Sequence, residues 1–293
     1  MTAINPLLTA LSTRPTTKFF LRMDLMMRKA GFSIYLGVGI LALGSLSCRL
    51  PVSFLTQGPK EMPAESESWQ AEVDALKSLT HSQPIPNFLT DPEIPQTGEV
   101  FDPNQLLVPL GHLSLQPGYT LDFVYRYDGI GGRPFIYARE VADPPLENYD
   151  EFLEATQDEV QYLDFVVCDG TEEAYFQYIL LSMMGDQFYL YWHAGYDDSE
   201  IIASRSHLET LVEEMSTTEF GINFSASQKR QALKIQPAPI VEFDEGKVNV
   251  RVVWFTKWGG FYESIYTLSQ SAPHHILNLE TTNLLEYDCG ILF

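Results

Sequence analysis

A cysteine, a histidine and two aspartates of this sequence have the types needed for a nucleophilic site: Cys168, His193 and Asp197-Asp198. A thiol becomes nucleophilic when a neighbouring base holds it as thiolate, and a carboxylate can orient that base. A fold that brought Cys168, His193 and Asp197 together would therefore have the parts of a small hydrolase. No local protease signature surrounds Cys168, however, and a histidine beside Trp192 is more often a half-buried polar tip. We keep this hydrolase as the alternative function and predict no catalytic site.

Cys168 also has a structural interpretation. Beyond residue 48 the sequence contains only two cysteines, Cys168 and Cys289. They lie in the similar contexts Cys-Asp-Gly and Asp-Cys-Gly. In an oxidising compartment two such cysteines favour a disulfide. The alternative is two buried free thiols that behave as small apolar residues. We predict the Cys168–Cys289 disulfide and leave the free thiols open.

A ligand-binding surface is predicted near the same histidine. The residues from 188 to 193 alternate as a strand. Burying Phe188, Leu190 and Trp192 therefore places Tyr189, Tyr191 and His193 on the opposite face. Aromatic side chains with a polar tip are typical of recognition surfaces. The alternative is that a helix covers this face and the tyrosines are core. The candidate binding residues are Tyr189, Tyr191, His193, Asp197 and Asp198.

Metal and cofactor motifs are missing from the sequence. It contains no H-E-x-x-H, no C-x-x-C and no EF-hand loop, and the adjacent His274 and His275 would point to opposite faces of a strand. The glycines at 129–132 do not fit a dinucleotide-binding fingerprint and no helix follows them. We predict neither a metal site nor a cofactor.

One continuous unit, residues 163–203, must position most of these candidates. It is predicted as strand, helix, strand, turn and strand. The helix follows Asp169, which can cap it, and is apolar around most of its circumference from Ala174 to Met184. Gly185 is predicted to end it in the left-handed conformation. A helix of this kind must be buried on several sides.

Hairpins flank this unit on both sides. Strict alternation over residues 119–128, a glycine turn and residues 135–138 predict the first hairpin. Residues 240–243, 247–256 and 261–268 predict three further strands, with one more at 274–279. Ser206 and Ser225 are each followed by Glu or Gln three residues later, which predicts two more helices. The fold class is α+β: a mainly antiparallel, aromatic-rich sheet with two to three packed helices.

Charge is distributed unevenly along the chain. The net charge is −21, but six basic residues and one acidic residue lie before residue 50, which leaves −26 for the rest. Nucleic-acid phosphate and anionic lipid repel so acidic a body. We therefore exclude nucleic acid as a partner.

The N-terminus has the order of an export signal. The uncharged stretch from Ala30 to Cys48 follows Arg28-Lys29, as an apolar region follows a basic one in secretory signals. Its ending, GSLSC, resembles a bacterial lipoprotein signal, which implies lipidation of Cys48; Ser45 stands where leucine is usual. A start at Met26 or Met27 would give a signal of ordinary length. Ordinary secretion and a retained membrane anchor remain the alternatives.

Three regions follow from these patterns. Residues 1–48 are predicted as export signal, 49–104 as a proline-rich tether with one amphipathic helix, and 105–293 as a single α+β domain. The helix either docks on the domain through Trp69 or belongs to a loose stalk, and the sequence leaves both open. The predicted protein is an exported lipoprotein of the cell envelope, on the outer side of a bacterial membrane, with a secreted soluble form as the alternative. Its function would be that of a non-enzymatic binding or structural module. The partner is an unknown ligand or envelope protein, and only the N-terminus meets the membrane.

Overall fold

The computed structural model describes residues 65–91, 93–156, 161–192, 199–218 and 221–290. All of them belong to the second of two units into which the chain divides, Pro59–Phe293. The predicted export signal and Cys48 lie outside the described residues. Within the described ranges, no helix is both long and apolar enough to cross a membrane.

Helices and strands alternate irregularly along the unit. The helices are α1 (Glu65–His81), α2 (Asn87–Thr90), α3 (Tyr149–Ala155), α4 (Glu172–Met184), α5 (Arg205–Thr217) and α6 (Ala226–Ala232). Short 3-10 helices span Pro103–Leu107 and Tyr162–Phe165. The strands are β1 (Leu113–Leu115), β2 (Tyr119–Tyr127), β3 (Gly131–Glu140), β4 (Val166–Cys168), β5 (Tyr191–Trp192), β6 (Glu200–Ile202), β7 (Ile240–Asp244), β8 (Lys247–Thr256), β9 (Gly260–Ser269) and β10 (Ile276–Glu286).

The strands pair antiparallel, and the mixture of helices with antiparallel sheet confirms the α+β class. The prediction of one sheet is wrong, because the described strands form three. The largest has the order β10-β9-β8-β6 with β7 also on β8, the second has the order β2-β3-β5, and β1 pairs with β4. The predicted hairpins are present as β2–β3, β7–β8 and β8–β9. The last strand, β10, extends well beyond its predicted end at residue 279.

Helix α4 lies where the sequence places it, but its ends differ from the prediction. Thr171 is the N-cap and accepts a hydrogen bond from Ala174 N, whereas Asp169 accepts hydrogen bonds from Thr171. The backbone of Gly185 has the right-handed helical conformation, with φ of −60°. A Cβ there would lie 2.6 Å from the Leu181 carbonyl oxygen, so close packing, and not a left-handed turn, accounts for the glycine.

The surroundings of α4 explain its apolar composition. Nine of its residues are buried. The strands predicted beside it belong to three different sheets, because β4 pairs with β1, β5 with β3 and β6 with β8. A helix that is apolar all round requires neighbours on every side. It forms the centre of the larger of two apolar clusters.

Helix α1 is part of this core. Trp69, Val73 and Leu76 are buried, and the Trp69 ring stacks on Phe176 of α4 with centroids 5.0 Å apart. Of the two options that the sequence left open, docking through Trp69 is the one that the structure has, and the predicted domain start at residue 105 is too late. Its apolar stripe was recognised from the sequence, but its partner, α4, is far away in the chain.

A second apolar cluster joins α5 and α6 to the ends of β8, β9 and β10. The predicted cap of α5 is wrong by two residues, since Ser204 and not Ser206 accepts the hydrogen bond from His207 N. The predicted capping box of α6, Ser225 with Gln228, is confirmed. Leu211 and Met215 of α5 and Phe255 of β8 are buried in this cluster.

Candidate functional site

Cys168 does not have the surroundings of a nucleophile. It is buried at the end of β4, its thiol donates to the Ala174 carbonyl oxygen at 3.7 Å, and burial raises its pKa to about 12. At neutral pH the side chain is therefore a protonated thiol. His193 and Asp197, its predicted partners, lie outside the described residues.

The histidine that does contact Cys168 is His274, which sequence reasoning dismissed. Its Nε2 accepts a hydrogen bond from Cys168 N at 3.2 Å, so the ring proton is on Nδ1, which faces the Ser269 carbonyl oxygen at 3.1 Å. The ring lies edge-on between Tyr175 and Tyr178. No motif signals this contact, because the two residues are far apart in the chain.

His274 makes stability depend on pH. Burial lowers its pKa below the model-compound value of 6.5, so the unfolded chain binds more protons in mildly acidic solution. The stabilisation is complete above about pH 6.5 and is lost as the pH falls through the lowered folded-state pKa. We expect urea unfolding at several pH values to show this loss, and His274→Gln, which keeps an acceptor but does not titrate, to remove it. If the free energy of unfolding changed equally with pH in the two proteins, this assignment would be contradicted.

Glu200 titrates in a separate, more acidic window. Its hydrogen bond with His207 lowers its pKa to about 2 against the opposing effect of burial, with Lys77 adding to the shift. Its contribution to stability is complete above the usual carboxyl pKa and is lost only as the pH falls towards about 2. Glu200 has the same charge in the wild type and in His274→Gln near pH 6. The difference in stability between these two proteins therefore does not contain its contribution.

The predicted disulfide is wrong. Cys168 and Cys289 are both free thiols, and both are buried. Cys168 belongs to the cluster around α4, whereas Cys289 belongs to the cluster around α5. Their similar sequence contexts reflect two turns and not a shared bond. The alternative, two thiols that pack as small apolar side chains, is the one that the structure has.

The prediction of a recognition face is wrong for Tyr189, whereas the exposure of Tyr191 agrees with it. Among the described residues of this stretch the strand begins at Tyr191, and Tyr189 has a positive φ of 53°, which breaks the alternation before it. Tyr189 is buried and its hydroxyl accepts a hydrogen bond from Phe101 N at 2.9 Å, whereas Tyr191 is exposed. The remaining binding candidates, His193, Asp197 and Asp198, lie outside the described residues.

A cleft of about 350 Å³ lies between α1, α5, β6 and the end of α4. Ligand sites of small molecules start at about this volume. The apolar lining comes from Val73, Met183, Met184, Ile201, Leu211, Met215 and Phe255. The polar and charged lining comes from Gln70, Asp74, Lys77, His81, Gln187, Ser199, Glu200, His207, Glu214, Thr218 and Lys257.

Three charged or titratable side chains meet at one wall of this cleft. Lys77 Nζ and His207 Nε2 each lie 3.0 Å from Glu200 Oε1. These side chains come from α1, α5 and β6, which are distant in the chain, so no sequence pattern indicates the cluster. Because the Glu200 carboxyl is held ionised, it can accept hydrogen bonds but cannot act as a general acid near neutral pH.

Gln70 fixes the position of α1 beside this wall. Its buried Oε1 accepts hydrogen bonds from Ala203 N at 2.7 Å and Ser204 N at 3.2 Å, and its Nε2 donates to Asp74 Oδ1 at 3.0 Å. The lining also contains Met183, Met184 and Met215, whose flexible thioethers adapt to different shapes. The cleft therefore combines fixed polar groups with adaptable apolar ones.

Neither a metal centre nor a relative identifies the chemistry of this cleft. Among the residues that the structure describes, no three His, Cys, Asp or Glu side chains are grouped so that they could hold a metal ion. No family model, no curated protein and no solved structure matches the chain.

Proposed function

We propose that this protein is an exported lipoprotein of the cell envelope that binds a small amphipathic ligand in the cleft between α1 and α5. The observation that carries the binding role is the composition of the cleft, whose lining combines the ionised Glu200 carboxylate, bonded to Lys77 and His207, with three methionines. The basic-then-apolar order from Arg28 to Cys48 supports export and anchoring. The protein acts as a binding module and not as an enzyme.

The chemistry of the cleft lining defines the ligand. An apolar body would pack on Met183, Met184 and Met215, which can change rotamer to fit it. A polar head would meet the cluster around Glu200, where the carboxylate accepts hydrogen bonds and Lys77 donates them. The alternative hydrolase is not proposed, because the Cys168 thiol is buried and its pKa is about 12.

Filling the cleft is expected to abolish binding without unfolding the protein. Met183 is half-buried and lines the cleft, so Met183→Trp adds an aromatic ring to the lining. The probe is Nile red, a neutral dye whose fluorescence increases in apolar surroundings. We expect saturable, one-to-one binding to the native protein and an affinity lower by about tenfold or more in the variant, or about 1.4 kcal/mol per factor of ten.

The matched control places the same ring elsewhere. Leu279 is 37% exposed on β10 and does not line the cleft, so Leu279→Trp should bind the dye like the wild type. Circular dichroism and urea unfolding check that both variants are folded. If the wild type shows no saturable binding, or if Met183→Trp binds as the wild type does, the cleft is not the binding site.

A further inference from the structure

The hairpin of β2 and β3 places two arginines side by side. Arg126 and Arg133 are direct cross-strand partners, and their side chains therefore lie on the same face of the ribbon with Cβ atoms about 5 Å apart. Like charges directly opposite each other are destabilising in a sheet. The pair lies beside the Asp128–Gly131 turn, where Arg126 is exposed and Arg133 half-buried.

Two aromatic rings hold these guanidinium groups in place. Arg126 Cζ lies 4.9 Å from the centroid of the Tyr149 ring, and Arg133 Cζ lies 4.6 Å from that of the Phe135 ring. The two rings pack on each other with centroids 4.6 Å apart, which joins the arginines into one arrangement. Stacking on a ring face leaves the N–H groups at the guanidinium edge free to donate.

Within the described ranges, neither guanidinium makes a hydrogen bond or an ion pair. Arg139, on the same face of β3, is different, because its Nε donates to Asp122 Oδ2 at 3.1 Å. The acidic residue of the nearby turn, Asp128, uses its Oδ1 to accept from Ile130 N at 3.0 Å and Gly131 N at 2.8 Å. Asp128 lies close enough to Arg126 for their charges to interact, but it forms no ion pair with that guanidinium. Two arginines without a paired carboxylate among the described residues therefore lie side by side on a strongly acidic body.

We infer that Arg126 and Arg133 form a binding site for a phosphate group. This site is separate from the cleft and does not depend on the proposed ligand there. A phosphate monoester carries a charge between about −1.5 and −2 and three acceptor oxygens, which matches two monovalent guanidinium groups with several donors each. A carboxylate carries one charge and is satisfied by a single guanidinium fork. Binding of the phosphate also removes the repulsion between the two arginines.

The test measures binding of phosphate supplied in two forms, as the free ion and as a lipid head group. The full-length protein is titrated with inorganic phosphate at constant ionic strength, with the arginine Nε–Hε signals followed by nuclear magnetic resonance. In parallel, the exported Cys48→Ser protein, which lacks the proposed acyl chain, is mixed with phosphatidylcholine vesicles with and without phosphatidic acid, and sedimentation is measured. We expect saturable shifts of two arginine signals with phosphate; sedimentation only with phosphatidic acid would assign the group to a lipid head.

Matched variants decide whether the pair is responsible. Arg126→Gln and Arg133→Gln should each lower the affinity by about tenfold or more, because a charge-assisted hydrogen bond is lost. Arg126→Lys keeps the charge and should retain part of the binding. Arg139→Gln is the control, since its partner Asp122 neutralises the charge that it removes. The inference is wrong if neither probe binds, if both Gln variants bind like the wild type, or if Arg139→Gln loses binding equally.

Discussion

Replacing Trp69 by alanine is expected to lower the free energy of unfolding by about 3–5 kcal/mol, as large-to-small substitutions of core tryptophans do. Trp69 is 8% exposed and stacks on Phe176, one of the fully buried residues of α4. The loss is a large fraction of the stability of an ordinary domain, which is about 5–15 kcal/mol. Urea unfolding followed by circular dichroism measures it. The same variant should lose dye binding, because α1 supplies one side of the cleft.

Two further variants separate packing from other effects. The indole Nε1 is buried without a hydrogen-bond partner among the described residues, so Trp69→Phe keeps the stacking and removes an unpaired donor. We expect its stability to be within about 1.5 kcal/mol of the wild type. Ser78→Ala, on the exposed side of α1, should change stability by less than about 0.5 kcal/mol. A Trp69→Ala protein as stable as these two would return α1 to the predicted tether.

Elements with a strong local pattern were predictable from the sequence. The alternation over residues 119–127 and the Asp244-Glu245-Gly246 turn identify hairpins whose strands follow each other directly. The apolar run of α4 likewise identifies a buried helix. Each of these signals lies within one short stretch of chain, so no distant partner is needed to recognise it.

Sheet membership and the candidate site were not predictable, because they depend on distant contacts. Strands β4, β5 and β6 lie close together in the sequence but pair with three separate sheets. The cleft cluster joins Lys77 to Glu200, 123 residues away. Tyr189 shows a further cause, since one residue with positive φ moves a side chain from the predicted surface into the core. A periodic pattern cannot indicate such a break.

The second large effect concerns Cys48 and tests the proposed anchoring. Cys48→Ser is expected to move nearly all of the exported protein from the membrane fraction to the soluble fraction. A covalently attached acyl chain contributes about 0.8 kcal/mol per buried CH₂ group, and the serine variant has none. The net charge of −26 on the rest of the chain disfavours general attraction to anionic lipid, so the acyl chain is the main attachment.

Fractionation of cells that produce the full chain distinguishes this anchoring from its alternatives. Ser47→Ala, which keeps a small residue before the cysteine, is the control and should remain in the membrane fraction. A Cys48→Ser protein that stays with the membrane indicates that the apolar segment before Cys48 is itself a retained anchor. A soluble, exported wild type indicates ordinary secretion. Full-length, unprocessed protein in the cytosol in every case ends the export hypothesis, while the cleft and the arginine pair are tested independently of it.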